Sequence, residues 1–129
     1  MKVMIVDDNA EVRKLIRTVL ADLAGEFVEC ADGEQAVAAY DQHRPDWTVM
    51  DVMMDRMDGL TATQLITSRF PNSHIIIITQ HDNPKLRARA SEVGATQFLI
   101  KDNLLELRPS VMQPISDVSP AKATTTTEN

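Results

Sequence analysis

The chain has 129 residues, a net charge of −6, and 43% hydrophobic against 25% charged residues. That balance suits one ordinary globular domain with a sizeable core, and the acidic surplus argues against non-specific nucleic-acid binding. MKVMIVDDN is too short an apolar run for a signal peptide, no segment approaches the ~20 apolar residues that span a bilayer, and the single Cys30 excludes an intramolecular disulfide, so a cytoplasmic protein without membrane contact is expected.

Lys2 to Val6 is a short apolar run rich in β-branched residues and reads as a buried strand. From Asn9, residues Val12, Leu15, Ile16, Val19, Leu20 and Leu23 keep helical spacing, with Asn9 as N-cap and Gly25 beyond the end. Phe27 to Ala31 predicts a second strand, and Asp32-Gly33 turns into a helix through Ala36, Val37 and Tyr40 that stops before Pro45. Residues 46–51, rich in strand formers, predict a third strand, and Asp58-Gly59 precedes a helix over Leu60 to Phe70. His74 to Thr79 holds consecutive isoleucines, the composition of a strand buried on both faces of a parallel sheet. Asn83-Pro84 opens a helix through Val93, and Thr96 to Lys101 is the fifth strand.

One stretch is ambiguous. In VMDVMMDRMDGL, residues 49–60, Met50, Met53, Met54 and Met57 share one helical stripe, and Asp51, Asp55 and Asp58 share another. A helix there would remove the central strand from an otherwise regular alternation, so 46–51 is read as strand and 52–58 as loop, the methionine spacing being coincidental or serving to pack the loop. The alternation itself predicts right-handed βαβ units in a doubly wound α/β sheet covered on both faces. After Lys101, Leu104, Leu105 and Leu107 keep helical spacing with Pro109 close behind, so either the helix kinks or Pro109 opens a new first turn. The domain is expected over residues 1–113. Residues 114–129, ending TTTTEN, have the composition of a disordered tail.

The polar residues at the strand ends carry the chemistry. Strand one ends in Asp7-Asp8, strand three in Asp51, strand four in Thr79 and strand five in Lys101. In a parallel sheet these ends share one edge, where ligands of open α/β sheets bind. Three crowded carboxylates either raise a pKa or recruit a cation, and carboxylates with waters and a phosphoryl oxygen suit Mg²⁺. A carboxylate so neutralised is a competent nucleophile toward phosphorus, with Thr79 donating a hydrogen bond and Lys101 a positive charge to the phosphoryl oxygens. Rival chemistries fit worse. DDNAEV lacks the glycines of a P-loop or dinucleotide fingerprint, DVMMDRMDG has Arg56 where an EF-hand needs glycine, and His43, His74 and His81 lack metal-ligand spacing.

MIVDDN, WTVMDVMMDRMDGL, IIIIT and FLIK resemble the receiver domain of two-component response regulators, of the stand-alone type, over roughly residues 1–113. The resemblance implies a five-stranded flavodoxin-like sheet of order 2-1-3-4-5. It implies that Asp51 accepts phosphate from a histidine kinase or phosphotransfer protein, that Asp8 binds Mg²⁺ directly and Asp7 mainly through water, and that Met53 binds it through its backbone carbonyl. Thr79 and Lys101 would contact the phosphoryl group, and Phe98 would be a switch aromatic that turns inward as Thr79 moves. Output would pass through contacts with a downstream protein, the 84–93 helix with Lys85, Arg87 and Arg89 being one candidate face. Arg13, Lys14 and Arg17 would face the kinase side. Three departures stand out: Asp55 and Asp102 replace prolines of the family pattern, leaving the 101–102 bond either trans or strained cis, and Gln80 replaces a small residue beside Thr79. The competing functions are an Mg²⁺-dependent phosphatase with an aspartate nucleophile, disfavoured by the lack of a cap domain or of a second acid two residues after Asp51, and a phosphate-independent interaction module. On the leading reading the protein is not an enzyme beyond catalysing its own phosphotransfer and dephosphorylation.

Overall fold

The structure is a computed structural model and describes residues 1–113. The expectation for residues 114–129 lies outside the described residues. Strands β1 (Lys2–Val6), β2 (Glu26–Cys30), β3 (Trp47–Asp51), β4 (Ile75–Thr79) and β5 (Gln97–Ile100) alternate with helices α1 (Ala10–Leu20), α2 (Gly33–His43), α3 (Gly59–Arg69), α4 (Pro84–Glu92) and α5 (Leu107–Val111). All strand pairs are parallel, and the order is β2-β1-β3-β4-β5, as the resemblance implies.

Successive strand residues point to opposite faces, so the apolar strands supply two cores. Met4, Val6, Met50, Ile75 and Ile77 pack under α2, α3 and α4 against Tyr40, Leu60, Ile66 and Ala90. Val3, Ile5, Val49, Ile76 and Ile78 pack on the other face against Ile16 and Leu20 of α1 and Leu107 and Val111 of α5. This two-sided burial explains why β3 and β4 carry no solvent-facing polar alternation.

Helix starts follow capping chemistry. Asn9 Oδ1 accepts from the Glu11 amide at 2.9 Å, Asp32 from Gln35 at 2.8 Å, Asp58 from Thr61 at 2.8 Å and Asn83 from Lys85 at 2.8 Å, each satisfying an orphan helix donor. Helix α1 stops a turn short of the predicted end, because the Leu23 and Ala24 amides both donate to the Leu20 carbonyl and close the chain in a turn. Leu23 still packs against the core as expected.

The methionine question resolves in favour of the strand. Met50 is buried within β3, Met54 and Met57 pack from the loop onto the same core, and Met53 is exposed. Met57 takes a positive φ of 61°, which no helical stripe would contain. Of the two possibilities at Pro109, the second holds. A 3₁₀ segment, Lys101–Glu106, breaks at Asn103, and Pro109 falls in the first turn of the separate α5, where its missing N–H loses no bond. No peptide bond among the described residues is cis, so the Lys101–Asp102 bond is trans.

Candidate functional site

Strand register assembles the site. Val6 pairs with Met50, so the next residues, Asp7 and Asp51, emerge side by side at the C-terminal edge. Thr79 pairs with Ile100, which delivers Lys101 just beyond Thr79 on the same edge. Lys101 Nζ lies 2.9 Å from Asp7 Oδ2 and 3.2 Å from Asp51 Oδ1, bridging the two acids. One carboxylate oxygen from each of Asp7, Asp8 and Asp51 lies within 4.8 Å of the other two. Asp7 and Asp51 are buried and Asp8 is exposed.

Backbone groups fix the acid pair. The Asp7 amide donates to the Cys30 carbonyl at 3.1 Å, continuing the β1–β2 ladder, and the Asn9 amide donates to Asp7 Oδ1 at 2.9 Å. Helix α3 is pulled in beneath Asp51 because the Gly59 amide donates to the Val52 carbonyl at 2.9 Å. A Cβ on Gly59 would lie 1.9 Å from the Asp51 carbonyl oxygen, so this close approach requires glycine. Thr79 is buried, and its Oγ1 accepts from the His81 amide at 3.3 Å.

Electrostatics follow from this crowding. Burial, reinforced by the Asp7 charge, pushes Asp51 up to about 6 against the opposing pull of Lys101 and the Met53 amide. Burial pulls Lys101 down, but its hydrogen bonds and charge contacts with Asp7 and Asp51 outweigh that and raise it. One ammonium thus bridges two of three clustered carboxylates, and an all-oxygen donor set with surplus negative charge fits a hard divalent cation.

Above these groups opens a cavity of about 210 Å³, lined by Asp8, Asn9, Asp51, Met53, Thr79, Gln80, His81 and Lys101. All the strand-end residues singled out in the sequence therefore converge, with Asp7 beneath the cavity floor. Phe98 lies elsewhere: it is half-buried against the α2–α4 core, with the Arg87 guanidinium 4.6 Å from its ring centre. His81, considered from the sequence only as a metal ligand and set aside for its spacing, lines the cavity, and its place two residues past Thr79 was the available signal. Asn9, expected only as a cap, lines it as well.

The sequence model of the response regulator receiver domain matches residues 3–111. The chain belongs to the response regulator receiver family. It is 33% identical over 117 residues to the chemotaxis protein CheY of Halobacterium salinarum, covering 91% of this chain and 95% of that one. The Bacillus subtilis chemotaxis protein CheY is 34% identical over 110 residues, covering 81% and 92% respectively. Among solved structures, the CheX-CheY-BeF3-Mg+2 complex from Borrelia burgdorferi matches with a TM-score of 0.77 and 26% identity, over 88% of this chain and 90% of that one. Receiver domains are signalling switches of two-component systems, and this receiver has an acidic pocket able to take Mg²⁺. No helix among its described residues is long and apolar enough to cross a membrane.

Proposed function

We propose that this receiver accepts a phosphoryl group on Asp51 from a histidine kinase or phosphotransfer protein, in an Mg²⁺-dependent reaction, and signals through contacts with a downstream protein. The observation that carries this reading is Lys101 bridging Asp51 and Asp7 at the cavity that Thr79 also lines. A carboxylate oxygen of Asp51 attacks phosphorus, the P–N bond of the phosphohistidine breaks, and the imidazole departs with the bonding pair and takes up a proton. The product is a mixed anhydride of carboxylate and phosphate. Lys101 passes from Asp51 to a phosphoryl oxygen as charge spreads, and the Thr79 hydroxyl donates to another.

Asp8 would hold Mg²⁺ directly, Asp7 mainly through water, and Asp51 and the Met53 carbonyl would complete the protein's share. When bound, the cation supplies neutralising charge that lets an anionic acceptor approach an anionic phosphoryl group. The Borrelia relative, crystallised as CheX-CheY-BeF3-Mg+2, supports both the cation and a protein partner by likeness. The phosphoryl state would favour one of two conformations, with Phe98 as the aromatic that responds to Thr79 and the α4 face as one output surface. Residues 1–113 would form the receiver proper, in a cytoplasmic protein.

Intact-mass measurement after incubation with Mg²⁺ and a small acyl-phosphate donor tests the proposal. Wild type should gain one phosphoryl group and Asp51→Asn none; equal gain in both, or none in wild type, refutes it. A second measurement concerns Gln80, which is exposed and lines the cavity. Gln80→Ala should speed both phosphoryl uptake and hydrolysis several-fold by opening access to Asp51. Unchanged rates would show that the glutamine is no barrier.

A further inference from the structure

Arg13 occupies a place that the strand-end chemistry does not account for. It stands in the second turn of α1, its side chain mostly buried, and its Nη1 donates to the backbone carbonyl of Asp7 at 2.6 Å. Its Nε donates to Glu29 Oε1 on β2 at 2.9 Å, and Arg17 Nη1 holds the other Glu29 oxygen at 2.9 Å. Glu29 is therefore gripped by two guanidinium groups, and its carboxyl is held below the usual range chiefly by Arg13.

The carbonyl that Arg13 grips belongs to the peptide joining Asp7 to Asp8. Asp7 needs no help from it, since both carboxylate oxygens and its amide are already engaged by Asn9, Lys101 and Cys30. Asp8 differs: it is exposed, and among the described residues its carboxylate makes no hydrogen bond or ion pair. Where that carboxylate projects depends on the plane of the 7–8 peptide, and a charge-assisted bond to the carbonyl fixes that plane.

We propose that Arg13, steadied by Glu29, is a positioning residue for Mg²⁺ binding that holds Asp8 in line with Asp7 and Asp51. The inference rests on the proposed cation site and adds to it a residue that touches neither the ion nor the phosphoryl group. Groups behind metal ligands typically change affinity by 10–100-fold when removed, and a single backbone anchor belongs at the lower end.

The test is calorimetric titration of EDTA-stripped full-length protein with MgCl₂, alongside thermal melts in EDTA. Arg13→Met should weaken Mg²⁺ binding roughly tenfold while melting close to wild type. Glu29→Gln, which frees Arg13 to swing, should weaken it less. Arg13→Lys should recover part of the loss, since one ammonium can reach the carbonyl but cannot also fork to Glu29. At saturating MgCl₂, phosphoryl uptake by Arg13→Met should return close to the wild-type rate. An unchanged affinity in Arg13→Met, or a loss in proportion to lost thermal stability across the variants, overturns the proposal. Asp8→Asn separates the two levels of argument. If it binds Mg²⁺ as tightly as wild type, or wild type does not bind at all, the cation site and the role of Arg13 fall together. If Asp8→Asn loses binding and Arg13→Met keeps it, only Arg13 is refuted.

Discussion

Lys101→Met should destabilise the metal-free protein by about 3 kcal/mol at pH 7, because removing one partner of a buried ion pair strands the other. Here two carboxylates are stranded, Asp7 and Asp51, both buried and both within 3.2 Å of the ammonium. The pH dependence distinguishes this cause from lost packing. Folded Asp51 titrates at about 6 against 3.8 ordinarily, so the folded state keeps a proton that the unfolded chain releases between those values. Stability from this group therefore falls as pH rises from 3.8 through 6 and is flat above. Lys101 opposes that rise and, with its own value raised, stays charged throughout this range. Without it the Asp51 value climbs further and the decline continues above pH 6. Urea unfolding in EDTA between pH 4.5 and 8 should show a deficit relative to wild type that is smallest at the acid end and grows toward neutrality. Adding Asp51→Asn to Lys101→Met should restore much of the loss. A deficit independent of pH would mean that the lysine stem, not its charge, matters. With Mg²⁺ present, phosphoryl uptake by the single variant should fall by roughly 100-fold, the usual cost of one preorganised donor to a charge-developing oxygen.

Most of this site could be read from the sequence because its ingredients are terminal. Each functional side chain ends or follows a strand whose apolar, β-branched composition marks it, and a parallel sheet sends all such ends to one edge. Asp7, Asp8, Asp51, Thr79 and Lys101 needed no register to be grouped, only an alternation of strands and helices. What could not be read depends on pairings between segments far apart. The inward turn of Arg13 toward Asp7 and Glu29 requires α1 to lie over β2, and from the sequence alone it groups with Lys14 and Arg17 on an outward face toward the kinase. Arg108 crosses to Asp22 and the Val19 carbonyl, locking α5 to the end of α1, where periodicity saw only a proline in an irregular stretch. The methionine stripe misleads for a complementary reason. Its spacing is helical, yet three separate demands place its four members: the sheet places Met50, the loop folding back on the core places Met54 and Met57, and Met53 lines the cavity.

Gly59→Ala should cost about 3 kcal/mol or more, a large effect for one methyl group at a helix start. By propensity alone the change is favourable, since alanine gains up to ~1 kcal/mol over glycine in a helix. Sterics outweigh that gain. The new Cβ would meet the Asp51 carbonyl oxygen at 1.9 Å and Met50 Cγ at 2.9 Å, and the first of these is backbone at the end of the central strand. Asp51 cannot retreat without breaking the β3–β4 pairing, where it lies opposite Ile78, and α3 cannot retreat without losing the Gly59–Val52 hydrogen bond and opening the core under Leu60 and Ile66. Gly25→Ala supplies the contrast: its added Cβ has no neighbour within 4 Å, so its stability should stay within about 0.5 kcal/mol of wild type. Urea unfolding of both variants at pH 7 decides the matter, and equal midpoints would remove the case for close packing at Gly59. Because the strain falls on the carbonyl of Asp51 itself, a folded fraction of Gly59→Ala at low temperature should also take up phosphoryl groups more slowly than Gly25→Ala. The glycine that lets α3 dock is thereby tied to the orientation of the proposed acceptor.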